Sequence, residues 1–209
     1  MNTDVYKYGF LFGMIAFISN ALFVVVQMLQ LFKVLRYPFD EIFIYSFSLG
    51  IVIPFVLEIL ALHYITPDDK KFWSHAALIF TVIYAVFVTA NYVVQLSTVI
   101  PATLKGNSSQ ISILIQTPHS LFWDFDAIGY ISMGIATLLA IPIFEKKGFQ
   151  KIVRISFLAN VLVTPLIGFV YFYPDFSEKI LLIALPWVIT APMAMLLLAI
   201  LFKKRIILN

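Results

Sequence analysis

Cysteine is absent from all 209 residues. Disulfides, thiolate nucleophiles and cysteine-held zinc, haem or iron–sulfur centres are therefore excluded. Charge is scarce as well: Asp, Glu, Lys and Arg make up 12% of the chain, about half the roughly 25% of an ordinary soluble domain. The only histidines, His63, His75 and His119, fall near the ends of apolar runs, so no pair is placed to hold a haem between helices. No lysine lies in the interior of a run, which removes a retinal Schiff base. The HExxH, GxSxG and GxxxxGK[ST] patterns, the glycine-rich dinucleotide fingerprint and an intramembrane DxxD pair are all missing, so no hydrolase or nucleotide chemistry is written as a motif. The net charge of +3 comes from basic residues scattered at helix ends rather than gathered in a patch, which speaks against nucleic acid. No cofactor and no metal is expected.

What remains is apolar. Hydrophobic residues are 62% of the chain and gather in six runs at 9–32, 42–64, 74–100, 121–144, 152–172 and 179–202. At about 1.5 Å per residue each makes a helix of roughly 30–40 Å, enough for a hydrocarbon core about 30 Å thick. The expected fold is all-α, a polytopic membrane bundle of six transmembrane helices forming one domain over 1–209. The first run follows Lys7 and contains Ser19-Asn20-Ala21, the outline of a signal peptide and its cleavage site. Apolar sequence continues past that point through 22–26, so the run is read as a membrane helix.

Basic residues set the expected orientation. Lys7, Lys70, Lys71, Lys146, Lys147, Lys151, Arg154, Lys203, Lys204 and Arg205 fall on one side of six alternating crossings, and Lys33, Arg36, Lys105 and Lys179 on the other. The excess places both termini in the cytoplasm. Tyr37, Trp123, Tyr171 and Tyr173 at the exterior ends, and Tyr6, Tyr8, Tyr64 and Trp73 at the interior ends, fit aromatic belts at the two interfaces. The segment 101–120 is expected as an external loop or flap, because its apolar stretch 111–115 is unlike a plain polar linker. Asn107-Ser108-Ser109 within it matches an N-glycosylation acceptor. Ser46-Phe47 and Pro54 in the second run correspond to Ser156-Phe157 and Pro165 in the fifth, a pattern that an inverted repeat of three spans would produce, although the intervals differ.

Polar residues inside the runs mark the candidate site, since an ionised group at a helix centre costs about 2.5–3.5 kcal/mol on insertion scales. Glu58 lies one turn after Pro54, whose ring leaves the carbonyl of Gly50 without its helical donor. Its rival role is a protonated acid bonded to a neighbouring helix for assembly. Asn91 and Gln95, with Thr98 a further turn along, share one helical face. Asp126 lies deeper than Asp124, which the helix dipole and the cap Ser120 explain; its stripe continues through Tyr130, Met133 and Thr137. Depth puts Gln27, Gln30, Asn91, Gln95, Asp126 and Tyr130 in the outer half and Glu58, His63 and Asn160 in the inner half. Asn20, Thr164 and Thr190 fall between, a layering that suits an outward vestibule with its floor near Glu58.

The candidate ligand or ion-binding residues are thus Glu58, Asn91, Gln95, Asp126, Tyr130, Asn160 and Trp187. The function they fit best is a small secondary transporter or channel-like protein for a small solute, proton or cation. The alternative is a membrane-embedded enzyme or binding protein for a lipid or sterol-like molecule, with a carboxyl doing acid–base work beside Trp187. A structural subunit whose polar residues lock helices is a third reading. Expected partners are membrane lipids, the small ligand and, in one version, further copies of the chain.

Overall fold

The structure is a computed structural model and describes residues 3–208. Among the described residues there is no strand. The helices are α1 (Thr3–Leu31), α2 (Phe39–Ile65), α3 (Lys71–Val94), α4 (Ile100–Leu104), α5 (Leu121–Ala140), α6 (Gly148–Phe172), α7 (Glu178–Leu181) and α8 (Trp187–Leu208). A π-helical turn, Gln95–Val99, joins α3 to α4, so they form one rod. Six helical stretches are long and apolar enough to cross a membrane, which is the architecture of a multi-pass membrane protein.

The helices overrun the apolar runs. α1 starts at Thr3 and α2 at Phe39, several residues before the runs at 9 and 42, because helical hydrogen bonding continues into the interface where polar side chains reach water. The sixth span departs from expectation in the opposite sense. It opens with the short α7 and a 3₁₀ turn at Leu182–Ala184 before α8 begins at Trp187, just after Pro186, whose missing N–H suits a helix start.

Solvent preference is inverted relative to a soluble bundle. On α1, Leu11, Ile15, Ile18, Leu22, Val25 and Leu29 recur at helical spacing and are all exposed. The opposite face, Gly9, Gly13, Ala16, Asn20 and Phe23, is buried. Large apolar groups outside and small ones inside is what lipid permits, because acyl chains solvate leucine and close packing depends on small residues. α5 carries this furthest: 61% of its most apolar window is buried, against 39% or less in the other spans. Gly129 and Gly134 explain the difference. A Cβ on Gly129 would stand 2.6 Å from Val88 Cγ2, and one on Gly134 would overlap the Thr164 hydroxyl, so both neighbouring helices approach as far as glycine allows.

In sequence order each span packs on the next, and α8 packs back on α1, closing a ring of six. Lys203 stands 5.4 Å over the ring of Phe10 and Lys204 4.1 Å over Phe149, so the start of α1, the start of α6 and the end of α8 share one end, here the terminal end. There Lys70 Nζ donates to Ile143 O at 2.9 Å and Arg154 donates to Ile141 O at 3.1 Å, satisfying carbonyls at the end of α5 with cations. The opposite, loop end holds 32–38, 105–120 and 173–177.

Candidate functional site

Asp126 sits in the second turn of α5 and is 4% exposed. Its Oδ1 accepts from the Tyr92 hydroxyl at 2.6 Å and from Asn91 Nδ2 at 3.4 Å, and its Oδ2 accepts from the Tyr171 hydroxyl at 2.5 Å. Three spans therefore converge on one carboxyl group. The Tyr130 hydroxyl is 3.0 Å from that of Tyr92. Because Tyr92 has one proton and gives it to Asp126, Tyr130 is the donor in that contact.

Above this network, toward the loop end, lies a cavity of about 620 Å³. Every span contributes to its wall, among others through Phe23, Glu41, Tyr92, Asp126, Tyr171 and Trp187. The wall is rich in aromatic rings that hold each other in place. Tyr45 stacks on Tyr92 with centroids 5.1 Å apart, Trp187 meets Tyr130 edge-on at 5.0 Å and Phe23 at 5.8 Å, and Trp123 lies 4.5 Å from Tyr171. Trp123 Nε1 also donates to Tyr171 O at 3.0 Å. Two carboxyl groups, Glu41 and Asp126, and one ammonium group, Lys33, line the chamber. The volume falls within the roughly 300–1,000 Å³ of small-molecule sites.

The segment after α4 is fastened over this chamber by Gln95. Its Nε2 donates to Leu114 O at 2.8 Å, and its Oε1 accepts from Gln116 N at 3.2 Å. Gln116 in turn accepts from Asn91 Nδ2 at 3.1 Å and faces the cavity. The π turn beginning at Gln95 changes the face. Thr98, expected to follow Asn91 and Gln95, is exposed, and Val99 is buried in its place, because a π turn needs about one residue more than an α turn to return to the same side.

The structure thus gathers Asp126, Tyr130 and Trp187 around one chamber, sets Asn91 behind its wall bonded to Asp126 and Gln116, and gives Gln95 the task of holding the loop over it. Asn160 lies outside the lining: its Nδ2 donates to Thr137 Oγ1 at 3.2 Å and its Oδ1 accepts from Thr190 Oγ1 at 3.3 Å, a bridge among α5, α6 and α8. Glu58 does not line the chamber either. It is buried between α1 and α8, so the floor is Asp126 and the two carboxyl groups have separate surroundings. Tyr45, Tyr92, Gln116 and Glu41 were not singled out in the sequence, and Tyr171 and Trp123 were assigned to an interfacial belt although both line the chamber. The available signal was that a tyrosine within an apolar span carries a hydroxyl that must find a partner. Among the described residues no group of His, Asp and Glu is arranged to hold a metal ion.

Fold and site together define a multi-pass membrane protein with a chamber sized for a small molecule at one end of its helical ring. No known family, curated protein or solved structure matches the chain.

Proposed function

We propose that this protein is a small secondary transporter whose chamber receives a small organic cation. The observation that carries the reading is Asp126 at the base of an aromatic chamber to which all six spans contribute. Ring faces and a carboxylate are the chemistry that recognises ammonium groups, each favourable ring contributing about 0.5–1 kcal/mol when exposed and about 2 kcal/mol when desolvated. Its hydrogen bonds to Asn91, Tyr92 and Tyr171 fix the carboxyl group in place while it still faces the chamber. The cavity is lined at the loop end by Lys33 and Pro118, both exposed, while Asn160, Thr137 and Thr190 link helices by hydrogen bonds outside its lining. That is the form of one access state. The excess of basic residues at the terminal end supports an open side facing away from the cytoplasm.

The test is quenching of the fluorescence of Trp123 and Trp187 by tetraethylammonium, followed by uptake of the same cation into liposomes. Saturable quenching lost in Asp126→Asn, with uptake by wild type alone, supports the reading. Absence of both in wild type sinks it. A second reading, a binding protein or enzyme for a lipid-like molecule, draws on the apolar part of the wall, where Ile44, Ile167, Val170 and Leu185 face the same space. Native mass spectrometry distinguishes it: a stoichiometric co-purified lipid displaced by no cation favours the second.

A further inference from the structure

A second carboxyl group is buried away from the chamber. Glu58 is 0% exposed, and neither of its oxygens has a hydrogen-bond partner among the described residues. A Cβ placed on Gly13 of α1 would overlap Glu58 Oε1 and stand 2.8 Å from the methyl of Ala199 on α8. The acid is therefore wedged against glycine backbone in a place where no larger residue fits. Its neighbours along α2, Phe55, Ile59 and Leu62, are all core residues. The titratable groups on the surrounding helices include Tyr6, Lys7 and Tyr8 on α1, His63 and Tyr64 on α2, His75 and Tyr84 on α3, and Lys203 and Lys204 on α8. Neither Glu58 oxygen accepts a hydrogen bond from any of them. His63 is engaged with Ser74 at 2.8 Å instead.

Helix assembly does not explain this arrangement, because assembly would show a bond to a neighbouring helix and there is none. A bare carboxylate in such surroundings would lose its hydration with no hydrogen bond in return, so the closed packing accommodates the neutral acid. Pro54 lies one turn earlier and leaves the Gly50 carbonyl without its helical donor, a point at which α2 bends easily. Gly50 itself packs against Ser19 of α1, so bending there parts the two helices that enclose Glu58. We infer that Glu58 is a proton-exchange site, separate from Asp126, that meets water from the terminal end when α1 and α2 part about Pro54. Loss of the proton creates a charge that cannot return to the closed packing, and rebinding restores it. As the coupling site for uptake, Glu58 rests on the transport reading above; as a proton-exchange site it does not.

The experiment is infrared spectroscopy of protein reconstituted with isotope-labelled glutamate, which restricts the signal to Glu41, Glu58, Glu145 and Glu178. The expected result is the carbonyl stretch of a carboxylic acid without hydrogen bonds, absent from Glu58→Gln. It shifts in D₂O and loses most of its intensity reversibly at alkaline pH. A band that neither titrates nor exchanges with deuterium, or no such band, overturns the inference. Pro54→Ala keeps the acid and is expected to slow deuterium exchange at least tenfold; an unchanged rate overturns the hinge. In liposomes, Glu58→Gln is expected to bind tetraethylammonium as wild type does but to lose uptake driven by a proton gradient, and retained uptake overturns the coupling. If wild type binds no cation while the band still titrates, the cation reading fails and the proton site stands.

Discussion

Tyr171 and Asp126 meet at 2.5 Å, the hydroxyl of one donating to Oδ2 of the other, and this bond ties the loop end of α6 to α5. Tyr92 takes the other oxygen at 2.6 Å from α3. A carboxyl group held from both sides cannot turn, so whatever occupies the chamber meets a fixed acceptor. Removing the hydroxyl in Tyr171→Phe is expected to lower stability by about 1–2 kcal/mol, the range for a single interhelical bond with a charged partner. Thermal unfolding followed by near-ultraviolet circular dichroism measures it. No change would mean that the bond is not formed in the bilayer.

Asp126→Asn keeps the shape of the side chain and removes its charge. The variant is expected to fold and to lose tetraethylammonium affinity by at least about tenfold, the equivalent of about 1.4 kcal/mol. Fluorescence titration reads it, and wild-type affinity in the folded variant would remove Asp126 from the site.

Gly134 and Gly168 offer a matched pair. A methyl at Gly134 overlaps the Thr164 side chain, whereas one at Gly168 meets only Ile131 Cδ1 at 3.7 Å, an ordinary contact. Gly134→Ala should destabilise by about 1–3 kcal/mol, and adding Thr164→Ala should recover most of that. Gly168→Ala should be close to neutral. Equal effects of the two single changes would contradict the close approach of α5 and α6.

Gln95→Ala removes both bonds that hold the segment at Leu114 and Gln116. At about 1 kcal/mol each, the opened population should rise about tenfold or more. Trypsin cleavage after Lys105, an exposed position, reports it as a faster cut with the rest of the bundle intact. An unchanged rate would show that other contacts hold the segment.

The lack of native cysteine makes topology easy to measure. Lys105→Cys should react with an impermeant maleimide from outside intact cells, and Lys203→Cys only after permeabilisation. The reverse pattern would invert the orientation and place the chamber mouth in the cytoplasm.

Much of this architecture follows from local chemistry. Runs such as 121–144 are too apolar for water and long enough for a bilayer, and no backbone in lipid can leave its amides unpaired, so six helices were legible from composition and length. That Asp126 and Tyr130 share one face of α5 was legible too, because i and i+4 do so whatever else the chain does. Thr98 shows where this kind of reading stops. Its face depended on a π turn, and nothing in Gln95-Leu96-Ser97 announces one.

The sequence by itself determined that the chain crosses a membrane, where its helices run and which polar residues each helix must turn away from lipid, since these depend on neighbours within a turn or two. Only the tertiary structure decided that Tyr92, Asp126 and Tyr171 share one network while Glu58 stands alone against Gly13. Lipid exerts no hydrophobic force to choose among helix faces, so the choice falls to close packing at small residues such as Gly129 and Gly134. Those contacts join positions far apart in the chain, and no local pattern encodes them.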